Sequence, residues 1–186
     1  MKKILNSLFL GILLSSSAVA QTDCLSVSYK NIKNETGVIT FCFENANTLM
    51  VNNYQVNNQN HTSTVLFTLH GIEPKENDPI LKSNYKPLPS FPDINAKEYQ
   101  GFPIEFVELQ SGQTKAKIWF TKKVKFYNSK NYWLFCGSLG NMIEEKYSGY
   151  FPVALQLIEN SEIVYEHVLI QKTKLTIKPE IFKSSK

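Results

Sequence analysis

Arginine is missing from this 186-residue sequence, and all 20 basic residues are lysines. The planar guanidinium is the usual two-pronged grip on phosphate, carboxylate or a guanine edge. With 16 acidic residues set against the lysines, the chain also lacks the charge excess of a nucleic-acid reader. An AT-rich coding sequence produces the same bias, so the absence assigns no function by itself. Aspartate is scarce too. Asp23, Asp78 and Asp93 are the only three, and no Asp-x-Asp-x-Asp calcium loop exists. The three histidines, His61, His70 and His167, are scattered, and no two have the spacing of a metal-binding helix face. Met142 lies near Cys136, but no histidine sits between or just after them to complete a copper set. These gaps lead us to expect no metal and no cofactor.

Other absences narrow the class further. Eight glycines and eight prolines exclude collagen-like and low-complexity sequence. A hydrophobic fraction of 42% excludes intrinsic disorder. Gly137-Ser138-Leu139-Gly140 lacks the glycine two places before the serine that a nucleophile elbow requires, because Cys136 stands there. Glu144 and Glu145 are adjacent, so on a helix they point apart and suit solvent better than paired acid–base work.

Residues 1–20 carry the pattern of a secretory leader. Lys2 and Lys3 form the charged start, Ile4 to Leu14 is mostly apolar, and Ala18-Val19-Ala20 is the small-x-small end that a signal peptidase cuts. The apolar run is shorter than the roughly 20 residues of a membrane span and is broken by Asn6 and a serine cluster. We place the cut after Ala20, and the Met-Lys-Lys start reads as bacterial. The expected location is therefore the periplasm or the outside, with no membrane span after cleavage. Loss of Lys2 and Lys3 leaves 18 basic and 16 acidic residues, a charge of +2.

Residues 21–186 read as a single domain of strands. Leu25, Val27 and Tyr29 alternate with Ser26, Ser28 and Lys30, the period of a half-buried strand. Turn residues at 31–37 lead into Val38 to Phe43. Further strands are expected over Thr48–Val56, Thr62–Leu69, Ile104–Leu109, Lys115–Tyr127, Tyr132–Cys136, Tyr150–Ile158, Glu162–Gln171 and Lys174–Ile177. One short helix is possible at Gly140–Lys146. Short strands with closely spaced turns predict an all-β, mostly antiparallel β-sandwich of about nine or ten strands.

A proline-rich insertion interrupts this pattern. Six of the eight prolines fall between 71 and 103, together with Tyr85, Phe91, Tyr99 and Phe102. Proline cannot donate to a ladder, so no central strand is expected here. Two readings remain open. The four rings form a binding loop displayed to a partner, or the segment is a strap whose rings pack on a sheet and cover its edge.

Three cysteines in a secreted chain permit one disulfide and leave one thiol. Cys24 and Cys42 fall on the two strands of the first hairpin, on the face of Ser26, Ser28 and Thr40, where their side chains meet across the ladder. The rival pairing is Cys42 with Cys136, an inter-sheet pin, although no tryptophan follows Cys42 closely. A thiol nucleophile at Cys136 served by His167 is a further possibility, set against a buried cysteine at a strand end. The sequence supports best a secreted or periplasmic β-sandwich that binds a protein or another cell-envelope component without catalysis. The alternatives are a cysteine-dependent hydrolase centred on Cys136 and His167, and a structural envelope protein.

Overall fold

Side chains alternate between the two faces of a sheet, so a period of two in the sequence builds strands with one buried side or two. The computed structural model describes residues 20–68, 70–75, 87–125, 147 and 149–183. The strands are β1 (Ala20–Asn31), β2 (Thr36–Glu44), β3 (Asn47–Val56), β4 (Gln59–Thr68) and β5 (Gly71–Lys75). They continue with β6 (Glu98–Tyr99), β7 (Phe102–Ser111), β8 (Thr114–Lys125), β9 (Tyr150–Glu159) and β10 (Glu162–Ile177). A 3-10 turn, Pro179–Phe182, follows β10. Expected features at Tyr132–Cys136 and Gly140–Lys146 lie outside the described residues.

The strands form one antiparallel sheet in the order β5-β4-β3-β2-β1-β10-β9-β8-β7-β6. The all-β, antiparallel expectation holds, but among the described residues the hydrogen bonding does not divide the strands into two sheets, and the sheet is not closed. Two meanders, β1–β5 and β6–β10, are joined by the first and last strands. Both edges are poor templates for further pairing. β5 carries Pro74 and Lys75, and β6 is two residues long.

Tight turns set the register. Asn57 and Asn58 both have positive φ between β3 and β4, as do Asn160 and Ser161 between β9 and β10, and Gln100 and Gly101 between β6 and β7. Two such residues in succession give the turn whose twist matches that of antiparallel strands. At the β1–β2 turn the Asn31 side-chain oxygen accepts the backbone N–H of Lys33 and of Glu35.

The sheet also rolls. In a flat sheet β7 would lie three strand spacings, roughly 14 Å, from β10. Instead, the Gln100 side-chain amide donates to the Leu169 carbonyl of β10. The Lys172 ammonium sits 5.1 Å from the centre of the Phe102 ring. Phe41 of β2 and Phe151 of β9 likewise meet, with ring centroids 5.2 Å apart, although β1 and β10 lie between their strands. Two register shifts explain the bend. Leu169 and Gln171 pair with consecutive residues Val27 and Ser26, and Pro152 and Ala154 with consecutive Phe120 and Trp119. The extra residue of such a bulge bends its strand and tightens the twist.

Strand alternation separates two cores. Leu25, Phe41, Met50 and Val65 are cross-strand partners on one face, while Cys24, Cys42, Leu49 and Leu66 are partners on the other. The first row joins the larger cluster, which includes Val27, Ile118, Leu155 and Leu169. The second row joins a smaller cluster that Phe182 of the 3-10 turn covers. Cys24 and Cys42 are directly opposed and form a disulfide, with Cα atoms 4.0 Å apart. Beside it the Ser26 and Thr40 hydroxyls are 2.9 Å apart and buried.

Candidate functional site

The roll opens a cleft of about 730 Å³ at one end of the sheet. This size falls within the range of small-molecule sites. β1 supplies Asp23, Cys24 and Leu25, and β10 supplies Lys172, Thr173 and Lys174. β2 ends into it with Phe43, β7 begins in it with Phe102, and β8 brings Lys122, Lys123 and Val124. The walls therefore come from strands that are distant in sheet order, and the site exists only because the sheet curls.

Its chemistry is two-sided. Leu25 and Phe102 are buried, and Phe43 and Val124 are partly exposed, giving an apolar floor. Around it stand four lysines and one aspartate, a formal excess of three positive charges. Lys174 pairs with Asp23 at 3.7 Å and Lys122 with Glu105 at 3.1 Å, both in solvent. The hydrogen bond from Lys122 to Glu105 raises the lysine's pKa and keeps it charged. Lys123 and Lys172 have no carboxylate partner among the described residues. Lys172 lies over the Phe102 ring, a position that favours a cation.

The aromatic residues of the proline-rich segment fall in different places. Tyr85 lies outside the described residues. Phe91 is half-buried and packs on Trp119 with centroids 6.0 Å apart, while the Trp119 indole N–H donates to the Asp93 carbonyl. Tyr99 is half-buried and its hydroxyl donates to the Ser90 carbonyl. Burial raises its pKa. Phe102 is 7% exposed and belongs to the cleft floor. Residues 87–99 thus lie against β7 and β8 in the manner of a strap.

His167 is wholly buried. Its Nε2 lies 3.2 Å from the Pro152 carbonyl at the β9 register shift. A carbonyl only accepts, so Nε2 carries the hydrogen and Nδ1 faces the Tyr165 hydroxyl, 3.4 Å away. Burial pushes the imidazole pKa down to about 4. The ring is neutral near pH 7 and occupied at both nitrogens. Cys136 lies outside the described residues. Among the described residues no group of three or more His, Cys, Asp or Glu side chains is placed to hold a metal.

Sequence reasoning passed over the lysine cleft because its members lie at 23–25, 43, 45, 102, 122–124 and 172–174. The available local signals were the Lys122-Lys123 pair and the alternating Lys172-Thr173-Lys174, both on strands.

No family model matches the chain, and no curated protein does. Two crystal structures of PNGF-II, in C2 and P21 space groups, resemble it at TM-scores of 0.41 and 0.40, with 14% and 13% sequence identity. They cover 90% and 88% of this chain, whereas the chain spans 30% of the length of each PNGF-II chain. A likeness of this size carries no argument about function.

Proposed function

We propose that the protein is a secreted or periplasmic binding module, a β-sandwich formed by one sheet rolled on itself, which performs no chemistry of its own. Its ligand enters the lysine-rimmed cleft and belongs to a protein or another component of the cell envelope. The observation that carries this reading is the arrangement of four lysines and one aspartate around an apolar floor. Such a surface combines charge recognition with apolar burial. Support for the location comes from the leader pattern over residues 1–20 and from the Cys24–Cys42 disulfide, a bond that persists in oxidising compartments. No helix among the described residues is long and apolar enough to cross a membrane.

Sedimentation of the purified protein with isolated cell envelopes tests the reading. Lys123 and Lys172 are the residues to change, because removing them strands no carboxylate partner among the described residues. The double variant Lys123→Glu, Lys172→Glu is expected to keep the β-sheet circular dichroism spectrum and lose at least about tenfold in envelope affinity. Undiminished binding by a folded double variant removes the cleft from the reading.

A further inference from the structure

The composition of the cleft points to the class of ligand. We infer that it takes an anionic amphiphile: a molecule with one apolar body and a carboxylate, sulfate or phosphate head. This inference rests on the reading of the cleft as a binding site and adds the chemistry of the occupant.

The floor is apolar. Leu25, Phe43, Phe102 and Val124 come from four different strands and face a common space. Polar groups of the ligand would find no partner on these side chains, whereas an acyl or aromatic body is removed from water against them. The volume of about 730 Å³ suits one such body and is too small for a folded domain.

The rim is cationic. Lys122 and Lys174 already have carboxylates at 3.1 and 3.7 Å, so their charge is partly answered within the protein. Lys123 and Lys172 are not answered by any described carboxylate. Lys172 spans the two halves of the site, because its stem belongs to β10 and its ammonium stands over the Phe102 ring of β7. A ligand whose apolar part rests on Phe102 therefore brings its head within reach of this ammonium. Lysine presents a single point charge with three donors and no planar fork. It accepts carboxylate, sulfate and phosphate alike, so the head is defined by charge rather than by geometry. Among the described lining residues Asp23 is the one acid; it is 76% exposed and lies 3.7 Å from Lys174. A cationic amphiphile would meet this lysine-rich rim and be repelled.

The experiment is titration calorimetry with amide chemical-shift mapping, using dodecanoate, dodecyl phosphate, dodecyl maltoside and dodecyltrimethylammonium below their critical micelle concentrations. Dodecanoate and dodecyl phosphate are expected to bind, to shift the amides of Leu25, Phe43, Phe102 and Lys172, and to weaken as salt rises. Lys123→Glu and Lys172→Glu should each weaken both anions at least about fivefold, the size of one exposed charge contact reversed. The maltoside titration on the same variants reports whether the floor remains intact. If maltoside shifts the cleft amides as strongly as the anions do and the charge reversals change nothing, the cleft binds without charge selection. The anionic assignment is then wrong while the binding site stands. If none of the four amphiphiles shifts the cleft amides, the anionic assignment fails. Envelope sedimentation, which uses none of these probes, then decides separately whether the cleft binds at all.

Discussion

At the scale of single residues, asparagine does much of what glycine does elsewhere. With only eight glycines in the chain, the positive-φ positions at 34, 45, 57, 58 and 160 are all asparagine. Its short polar side chain tolerates the left-handed region better than other non-glycine residues do. Gly37 is glycine for a different reason. A Cβ there would come within 2.5 Å of the Asn53 carbonyl oxygen and 2.8 Å of the Tyr29 ring, which lies against it. His167 ties stability to pH. Its pKa falls from the ordinary 6.5 to about 4 on folding. Between those values the unfolded chain binds a proton that the folded chain refuses. The stability due to this group is therefore whole above pH 6.5 and is lost as the pH falls toward 4, by about 3 kcal/mol in all. Carboxylates titrate in the same window, so the comparison must be with a variant. In urea titrations at pH 7.5 and 4.5, His167→Gln is expected to lose about 2–3 kcal/mol less than the wild type. Equal losses in the two proteins would contradict a neutral, buried imidazole.

Elements were legible wherever alternation and turn chemistry agreed. Leu25, Val27 and Tyr29 against Ser26 and Ser28 marked β1, and the same pattern placed Cys24 opposite Cys42 on a common face. Asn57 and Asn58, and Asn160 and Ser161, stood where the turns are. The Lys174–Ile177 strand proved continuous with β10, whose bulge breaks the apparent period near Gln171. The proline-rich segment was harder, because proline excludes a central strand without saying where the rings go. The packing of Phe91 on Trp119 makes a measurable claim about it. Phe91→Ser is expected to cost about 2 kcal/mol, through lost apolar burial and a partly filled gap beside the indole. A denaturant titration showing a change within about 0.5 kcal/mol, the range of an ordinary surface substitution, would return residues 87–99 to the display-loop reading. The candidate site was not legible at this scale, since no element contains more than three of its residues.

The whole molecule is decided by a pairing that no local pattern announces. β1 and β10, the first and last strands, pair over twelve positions, from Ala20 with Ile177 to Asn31 with Tyr165. Among the described residues, every other pair joins strands that follow one another in chain order. Alternation states which face a residue takes, but not which strand lies alongside. The single sheet follows from this one long-range seam, and its roll and cleft from the bulges in the seam and in the β8–β9 pair. The seam has a dynamic consequence. β1 and β10 are central, and Val27, Ser28, His167, Val168 and Leu169 along them are fully buried, so their amides can open only when both meanders part. β5 and β6 lie at the sheet edges and can fray alone. In native-state hydrogen exchange, the amides of Val27 and Val168 should therefore exchange only by global unfolding, with the denaturant dependence of the full transition. Those of Ile72 and Tyr99 should exchange through local openings that denaturant hardly affects. If Val27 and Val168 instead exchanged before the interior of the β2–β3 or β8–β9 pair, the meanders would be the stable units and the seam a late docking. The cleft would then form only in the docked state, and its affinity for any ligand would fall with the fraction of molecules whose seam is open.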